Sequence, residues 1–291
     1  MHRAIARAAD RPGREAERGG VGGPALNRNP SRRTLRRAAW LGASLLPLLV
    51  WSAPLAAQVP ACAAPAELSR FDDPLQRVVR RIAKGDPVKI VAIGSSSTAG
   101  AGASSPELSY PSRLEAELRA RLPGVAVAVI NRGVNGEVAA DMMKRFAADV
   151  FAEKPDLVIW QVGTNSVLRD QNVLRFAPVI RDGLEQLLGS GADLIVMNSQ
   201  FAPKVLVKAD AERMVDIVGA EAKDVGAQLF DRFALMRHWH ESERIGFETF
   251  IHPDGLHLND WSYACVAKVL AAAILDGVKP PVVAKVSPGA R

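Results

Sequence analysis

Unbroken apolar runs take turns along this chain with stretches whose apolar positions recur at helical spacing, and that order predicts the architecture. Val88–Ile93 is a run of apolar and β-branched residues long enough for a buried strand, and it breaks at Gly94 into three serines, a threonine and two more glycines. Tyr110-Pro111-Ser112 then opens a helical pattern with Leu114, Leu118 and Leu122 four apart, halted by Pro123-Gly124. Four more apolar runs read as strands: Val125–Ile130, Leu157–Val162, Asp193–Asn198 and the short Gln228–Phe230. Helical patterns separate them, at about 138–151, 173–188 and 209–225, and a last amphipathic helix is predicted over about 260–275. A lead-in helix is predicted within 66–83 from Leu68, Phe71, Leu75, Val78, Val79 and Ile82, and 231–260 reads as irregular.

Strands that alternate with helices imply a parallel sheet with right-handed crossovers and helices on both faces. The expected fold class is α/β, a single doubly wound (flavodoxin-like) three-layer α/β/α domain with a parallel five-stranded sheet. It should span residues 66–278, with a C-terminal tail over 279–291. In such folds, ligands bind at the carboxyl edge of the strands.

Charge changes the picture only at the amino end. Ten of the 37 Lys and Arg residues and three of the 31 Asp and Glu residues fall within Met1–Ala57, which leaves 27 basic against 28 acidic residues for the rest. The body is near neutral, so no nucleic-acid partner is expected. The basic stretch ending in Ser31-Arg32-Arg33-Thr34-Leu35-Arg36-Arg37, the apolar run Ala38–Ala57 and the small pair Ala56-Ala57 read as an export signal over residues 1–57. The paired arginines resemble a twin-arginine signal. Cleavage near Ala57 and a periplasmic or extracellular location are favoured over an N-terminal membrane anchor, because Pro47 and Pro54 interrupt the run. The membrane is expected to be met only through this signal, and a monomer is the default.

Two cysteines, Cys62 and Cys265, make an even count in an exported chain and are a candidate disulfide. The alternative is two unpaired thiols, with Cys265 packed in a core.

The chemistry-bearing residues fall in the turns after the strands. These are Gly94-Ser95-Ser96-Ser97-Thr98, Asn131-Arg132-Gly133-Val134-Asn135-Gly136, Gly163-Thr164-Asn165 and, far downstream, Asp254-Gly255-Leu256-His257. Each alone reads as a turn or cap. Together they supply a nucleophile, donors, and a base with a carboxylate to orient it, which are the parts that acyl transfer needs.

Four blocks in this order, across about Pro87 to Ala273, resemble the SGNH/GDSL hydrolase superfamily. The resemblance selects Ser96 as nucleophile, with Asp254 and His257 completing a triad. It implies an oxyanion hole of the Ser96 and Gly133 N–H groups and the Asn165 amide. It also implies a small-molecule or glycan ester as substrate, and no cofactor or metal. Ser95 departs from the pattern, which usually has Asp there. The implied activity is hydrolysis of a carboxylic ester through an acyl-enzyme, with deacetylation of an envelope or extracellular carbohydrate suggested by export. Acyl transfer to a sugar and a non-catalytic cell-wall binding module are the alternatives.

Gln200 and Phe201, after the fourth strand, and Trp239 and Trp261, near the last block, are candidate pocket residues, although aromatic side chains serve equally as core. A metal site from His238, His240, His252 and His257 is disfavoured against a polar loop. Nucleotide binding is disfavoured because neither Gly-Lys-Ser/Thr nor Gly-x-Gly-x-x-Gly follows Ile93.

Overall fold

The computed structural model describes residues 60–276 and 278. The expected export signal, the C-terminal tail and Gly277 lie outside the described residues. Among the described residues, five strands, β1 (Val88–Gly94), β2 (Val127–Gly133), β3 (Leu157–Gln161), β4 (Asp193–Met197) and β5 (Gln228–Phe230), form one sheet in the order β2-β1-β3-β4-β5. All four pairings are parallel. The three-layer α/β fold is the one the alternation predicts. β1 and β3 are buried along nearly their whole length, which is why they read as continuous apolar runs rather than as alternating ones.

Among the described residues, twelve α-helices accompany the strands. The amino-terminal half holds α1 (Gln76–Lys84), α2 (Ser96–Ala99), α3 (Tyr110–Arg121), α4 (Ala139–Met143), α5 (Phe146–Asp149) and α6 (Thr164–Leu168). The rest are α7 (Phe176–Gly189), α8 (Pro203–Leu206), α9 (Ala211–Val225), α10 (Arg232–Glu241), α11 (Phe247–Phe250) and α12 (Asp260–Leu275). The chain steps from β1 to β2 in one direction and then crosses back to β3, so right-handed crossovers put α3 on one face and α7 and α9 on the other. Strand order reverses beside β1, and in doubly wound sheets ligands bind at the carboxyl edge of such a point.

Three expectations are corrected. The helix expected over 138–151 is split into α4 and α5, because the segment bends at Lys144-Arg145 to wrap Phe146 under the sheet; Phe146 meets Trp160 of β3 edge-on, with ring centroids 5.6 Å apart. The lead-in helix is confined to α1 after a short 3-10 turn at Ala66–Leu68. Residues 231–260 are not irregular throughout. Asp231 caps α10, its side chain accepting from the Ala234 N–H, and Phe233, Leu235, Met236 and Trp239 bury one side of that helix.

The segment before α1 is strapped to the body. Cys62 is disulfide-bonded to Cys265 of α12, with Cα atoms 5.3 Å apart. The indole N–H groups of Trp261 and Trp239 donate to Pro60 O (3.1 Å) and Ala63 O (2.8 Å). Among the described residues, no helix is long and apolar enough to cross a membrane.

Candidate active site

The turn after β1 is built to present one hydroxyl. Ser95 is buried, and its N–H and hydroxyl both donate to Gln161 Oε1, at 2.9 and 3.0 Å. The backbone then enters α2, whose first residue is Ser96; Thr98 N and Ala99 N close the turn on Ser95 O. Ser97 and Thr98 are buried, while Ser96 is half-exposed at the sheet edge. Of the three consecutive serines, only Ser96 is not buried.

The far turn is equally constrained. Ile251 and Leu258 form an antiparallel bridge, and His252 N donates to His257 O (2.8 Å). The side chain of Asp254 accepts three donors: the N–H groups of Leu256 and His257 at Oδ1 (2.9 Å each) and the His257 Nδ1–H at Oδ2 (2.5 Å). His257 Nε2, left as the acceptor in that tautomer, receives the Ser96 hydroxyl at 2.9 Å. Burial works against a charge on Asp254, but the His257 ring and the two backbone donors outweigh it and hold the carboxyl well below the usual range. Asp254 is therefore ionised throughout the neutral range.

Gly102 brings the two turns together. A Cβ there would collide with Leu258 O and press on the Cβ atoms of His257 and His252. Tyr263 Oη donates to Ala101 O (2.7 Å), and Asp260 accepts both the N–H and the hydroxyl of Ser104 (2.9 and 2.7 Å), pinning the loop after α2 against α12.

Asn165, in the first turn of α6, donates its side-chain amide to Glu137 O (2.8 Å). The loop that supplies that carbonyl is held by Arg145, which pairs with Glu137 (2.7 Å) and Asp149 (2.6 Å) and donates to Gly94 O (3.2 Å). Arg145 and Gln161 were not singled out in the sequence. The signal for Gln161 was there, since it is the one polar residue of an otherwise apolar strand.

Two groups of expectations are corrected. Gly133 is not disposed as a donor to a ligand, because its N–H donates to Asn131 Oδ1 (2.9 Å). Its missing side chain instead lets β2 approach the backbone of Thr98 and Ala99, where a Cβ would overlap α2. The glycine in the same loop with a free N–H is Gly136: it donates to no described residue and adjoins the Glu137 carbonyl that holds Asn165. The four candidate pocket residues do not form a ligand wall. Gln200 is 1% exposed and hydrogen-bonded inside the protein. Phe201 packs against Phe233 and Phe247, and Trp239 and Trp261 hold the strap described above.

The histidines considered as metal ligands are dispersed. His238 faces Glu243 (3.2 Å), and His240 Nδ1–H donates to Ile245 O (3.0 Å) with its ring stacked on Phe247. Among the described residues, no group of three or more His, Cys, Asp or Glu is placed to hold a metal ion. The clefts of about 510 Å³ beside β5 and about 530 Å³ between α4 and α7 include none of Ser96, Asp254 and His257.

Residues 61–280 match the model of the non-GDSL lipase-like family. Over 56 residues the chain is 36% identical to an acetylxylan esterase of Geobacillus stearothermophilus, a stretch covering 19% of this chain and 26% of that enzyme. Among solved structures, a two-domain esterase active on acetylated mannans, co-crystallised with mannopentaose, superposes with a TM-score of 0.61 at 22% identity; the match covers 75% of this chain and 58% of that one. The lipase/acylhydrolase from Enterococcus faecalis gives 0.56 at 24% identity, covering 66% and 98%. At these identities the likeness to solved structures is one of fold. The chain spans about a quarter of the curated relative and little more than half of the two-domain esterase. Serine at 95, where Gly-Asp-Ser has aspartate, suits a family described as standing apart from that motif. A family match over most of the chain, on the strand order described above, leads to one conclusion: this chain belongs to the non-GDSL lipase-like family, among the SGNH/GDSL-type hydrolases.

Proposed function

We propose that this protein is an exported serine esterase that removes short acyl groups, acetyl above all, from a carbohydrate. The observation that carries the reading is the continuous relay Ser96 Oγ–His257 Nε2, His257 Nδ1–Asp254 Oδ2, at 2.9 and 2.5 Å. In the proposed reaction Ser96 Oγ attacks the ester carbonyl carbon while its proton passes to His257 Nε2. The tetrahedral adduct collapses as that proton moves to the departing alcohol oxygen, leaving an acyl-serine. A water molecule then repeats the sequence and releases the acid. Asp254 holds the imidazole in the accepting tautomer and stabilises its cationic form.

The developing oxyanion is assigned to the Ser96 N–H, the Asn165 amide and, in place of Gly133, the Gly136 N–H. Each such donor is worth about 3–4 kcal/mol of transition-state stabilisation. The acetyl and carbohydrate parts of the reading rest on what the relatives are described as acting on, and export rests on the basic and apolar pattern of residues 1–57.

The test is hydrolysis of p-nitrophenyl acetate, butyrate and octanoate, and acetate release from acetylated xylan and mannan, with Ser96→Ala and His257→Ala alongside. The expected result is a preference for acetate and a loss of several orders of magnitude in both variants. An inactive protein that takes no fluorophosphonate label at Ser96 would instead favour a non-catalytic binding role.

A further inference from the structure

The loop between β4 and α8 carries a buried polar chain that the proposed reaction does not use. Arg232, the first residue of α10, is fully buried. Its Nη2 donates to Asn198 O (2.9 Å) and to Gln200 Oε1 (2.8 Å), while Nε and Nη1 meet no acceptor among the described residues. Gln200 Oε1 also accepts the Thr164 hydroxyl (2.9 Å).

The two ends of a carboxamide are nearly alike in shape, so what directs one is the charge and hydrogen-bonding character of its neighbours. A guanidinium accepts nothing. It therefore fixes the Gln200 oxygen toward itself and turns the NH₂ group to the opposite side, where Nε2 donates to Leu256 O (3.3 Å). Leu256 immediately precedes His257, and Thr164 immediately precedes Asn165. One buried side chain thus ties the turn bearing the proposed base to the turn bearing the proposed amide donor. A backbone bond from the first turn of α8, Lys204 N to Gly255 O (3.0 Å), also reaches the far turn.

We propose that Gln200 is a positioning residue that sets His257 against Ser96, with its direction imposed by the buried Arg232; the proposal rests on the esterase reading above. A misplacement of about 1 Å at a reacting group costs about a hundredfold in rate.

Gln200→Glu separates this role from simple packing. The carboxylate keeps both acceptor functions and gives Arg232 a counter-ion, but it removes the donor to Leu256 O and sets an anionic oxygen against that carbonyl. The expected Gln200→Glu protein melts at or above the wild-type temperature. Its kcat on p-nitrophenyl acetate falls about a hundredfold, with KM within about twofold of wild type. The low-field proton resonance of His257 Nδ1–H moves or broadens. Wild-type kcat and an unmoved resonance in a protein of wild-type stability would overturn the proposal. If Gln200→Glu melts well below wild type, Gln200→Met, which keeps the volume and lacks both hydrogen bonds, decides in the same way: unchanged turnover and resonance overturn the role, and loss of both supports it. Because the resonance reads His257 without turnover, a wild type that hydrolyses no ester would count against the esterase reading while the positioning of His257 is still measured.

Discussion

The whole chain contains two tyrosines, Tyr110 and Tyr263; both are fully buried, and both touch the loop that carries Ser96. Tyr110 Oη lies 3.4 Å from Thr98 Oγ1, and Tyr263 Oη donates to Ala101 O. Alkaline pH is therefore a perturbation aimed at the underside of the site. Burial pushes the Tyr110 phenol up from 10.0 to about 12, with the Thr98 hydroxyl and the Arg232 charge opposing part of the rise. Tyr263 is raised as well, again by burial first. A folded-state value above the unfolded one contributes stability that is fully present below pH 10 and is lost as pH rises through 12. For Tyr110 alone, two pH units at about 1.4 kcal/mol each give roughly 3 kcal/mol. Burial also lowers the Arg232 guanidinium to about 10, which acts in the opposite sense, one group against two.

The assay is absorbance at 295 nm, followed with far-UV circular dichroism across pH 9–12.5, with urea midpoints taken along the series. The expected result is a urea midpoint that is steady to pH 10 and then declines, with tyrosinate appearing together with loss of ellipticity. A tyrosinate transition centred near pH 10 in a protein of native ellipticity would refute the reasoning.

Other outcomes follow from particular contacts. Asp254→Asn keeps an oxygen for the Leu256 and His257 N–H groups but turns an NH₂ toward His257 Nδ1, which forces the proton onto Nε2; kcat/KM should fall by about 10⁴ with little change in melting temperature. Replacing Cys62 and Cys265 by Ser removes a link across 203 residues, worth up to about 5 kcal/mol in chain entropy; a melting temperature lower by about 10–20 °C is expected in calorimetry, and a fall of less than 2 °C would contradict it. Ser95→Asp sets a buried carboxylate against Gln161 Oε1 and should lower the urea-derived stability by about 1–3 kcal/mol; stability at or above wild type would mean that the Gln161 amide reverses to meet it.

The fold was legible because apolar runs and helical repeats succeed one another plainly along the chain. β1, β3 and β4 lie on apolar runs that stop at Gly94, Gly163 and Asn198, and the final helix, Asp260–Leu275, lies where its pattern predicts. What escaped were features set by tertiary packing. Nothing local marks the bend at Lys144-Arg145, and α10 mixes His, Arg and Trp too evenly to stand out before the core it packs on is known. At the site, Ser96, Asp254, His257 and Asn165 were legible as types at a spacing. Choosing between Gly133 and Gly136 was not, because both are glycines of one loop, and only the fold shows which one has its N–H occupied by Asn131 and its face against Ala99. The aromatics near the last block misled for a similar reason. A tryptophan beside a reactive turn can serve a ligand or the chain itself, and here the indole donors go to Pro60 and Ala63.

The bond between Cys62 and Cys265 makes the body of the protein a covalent ring that takes in every strand of the sheet and each turn of the site. Protease attack inside that ring has an unusual consequence: a single cut in any surface loop between the two cysteines opens the ring without dividing the molecule. A nicked protein keeps its mass in a non-reducing gel and separates into two fragments only after thiol treatment. The sheet then holds together two pieces that cannot diffuse apart, so re-docking after local opening is a first-order event. Wherever a protease is present, such tolerance lengthens working life by a route separate from resisting the first cut.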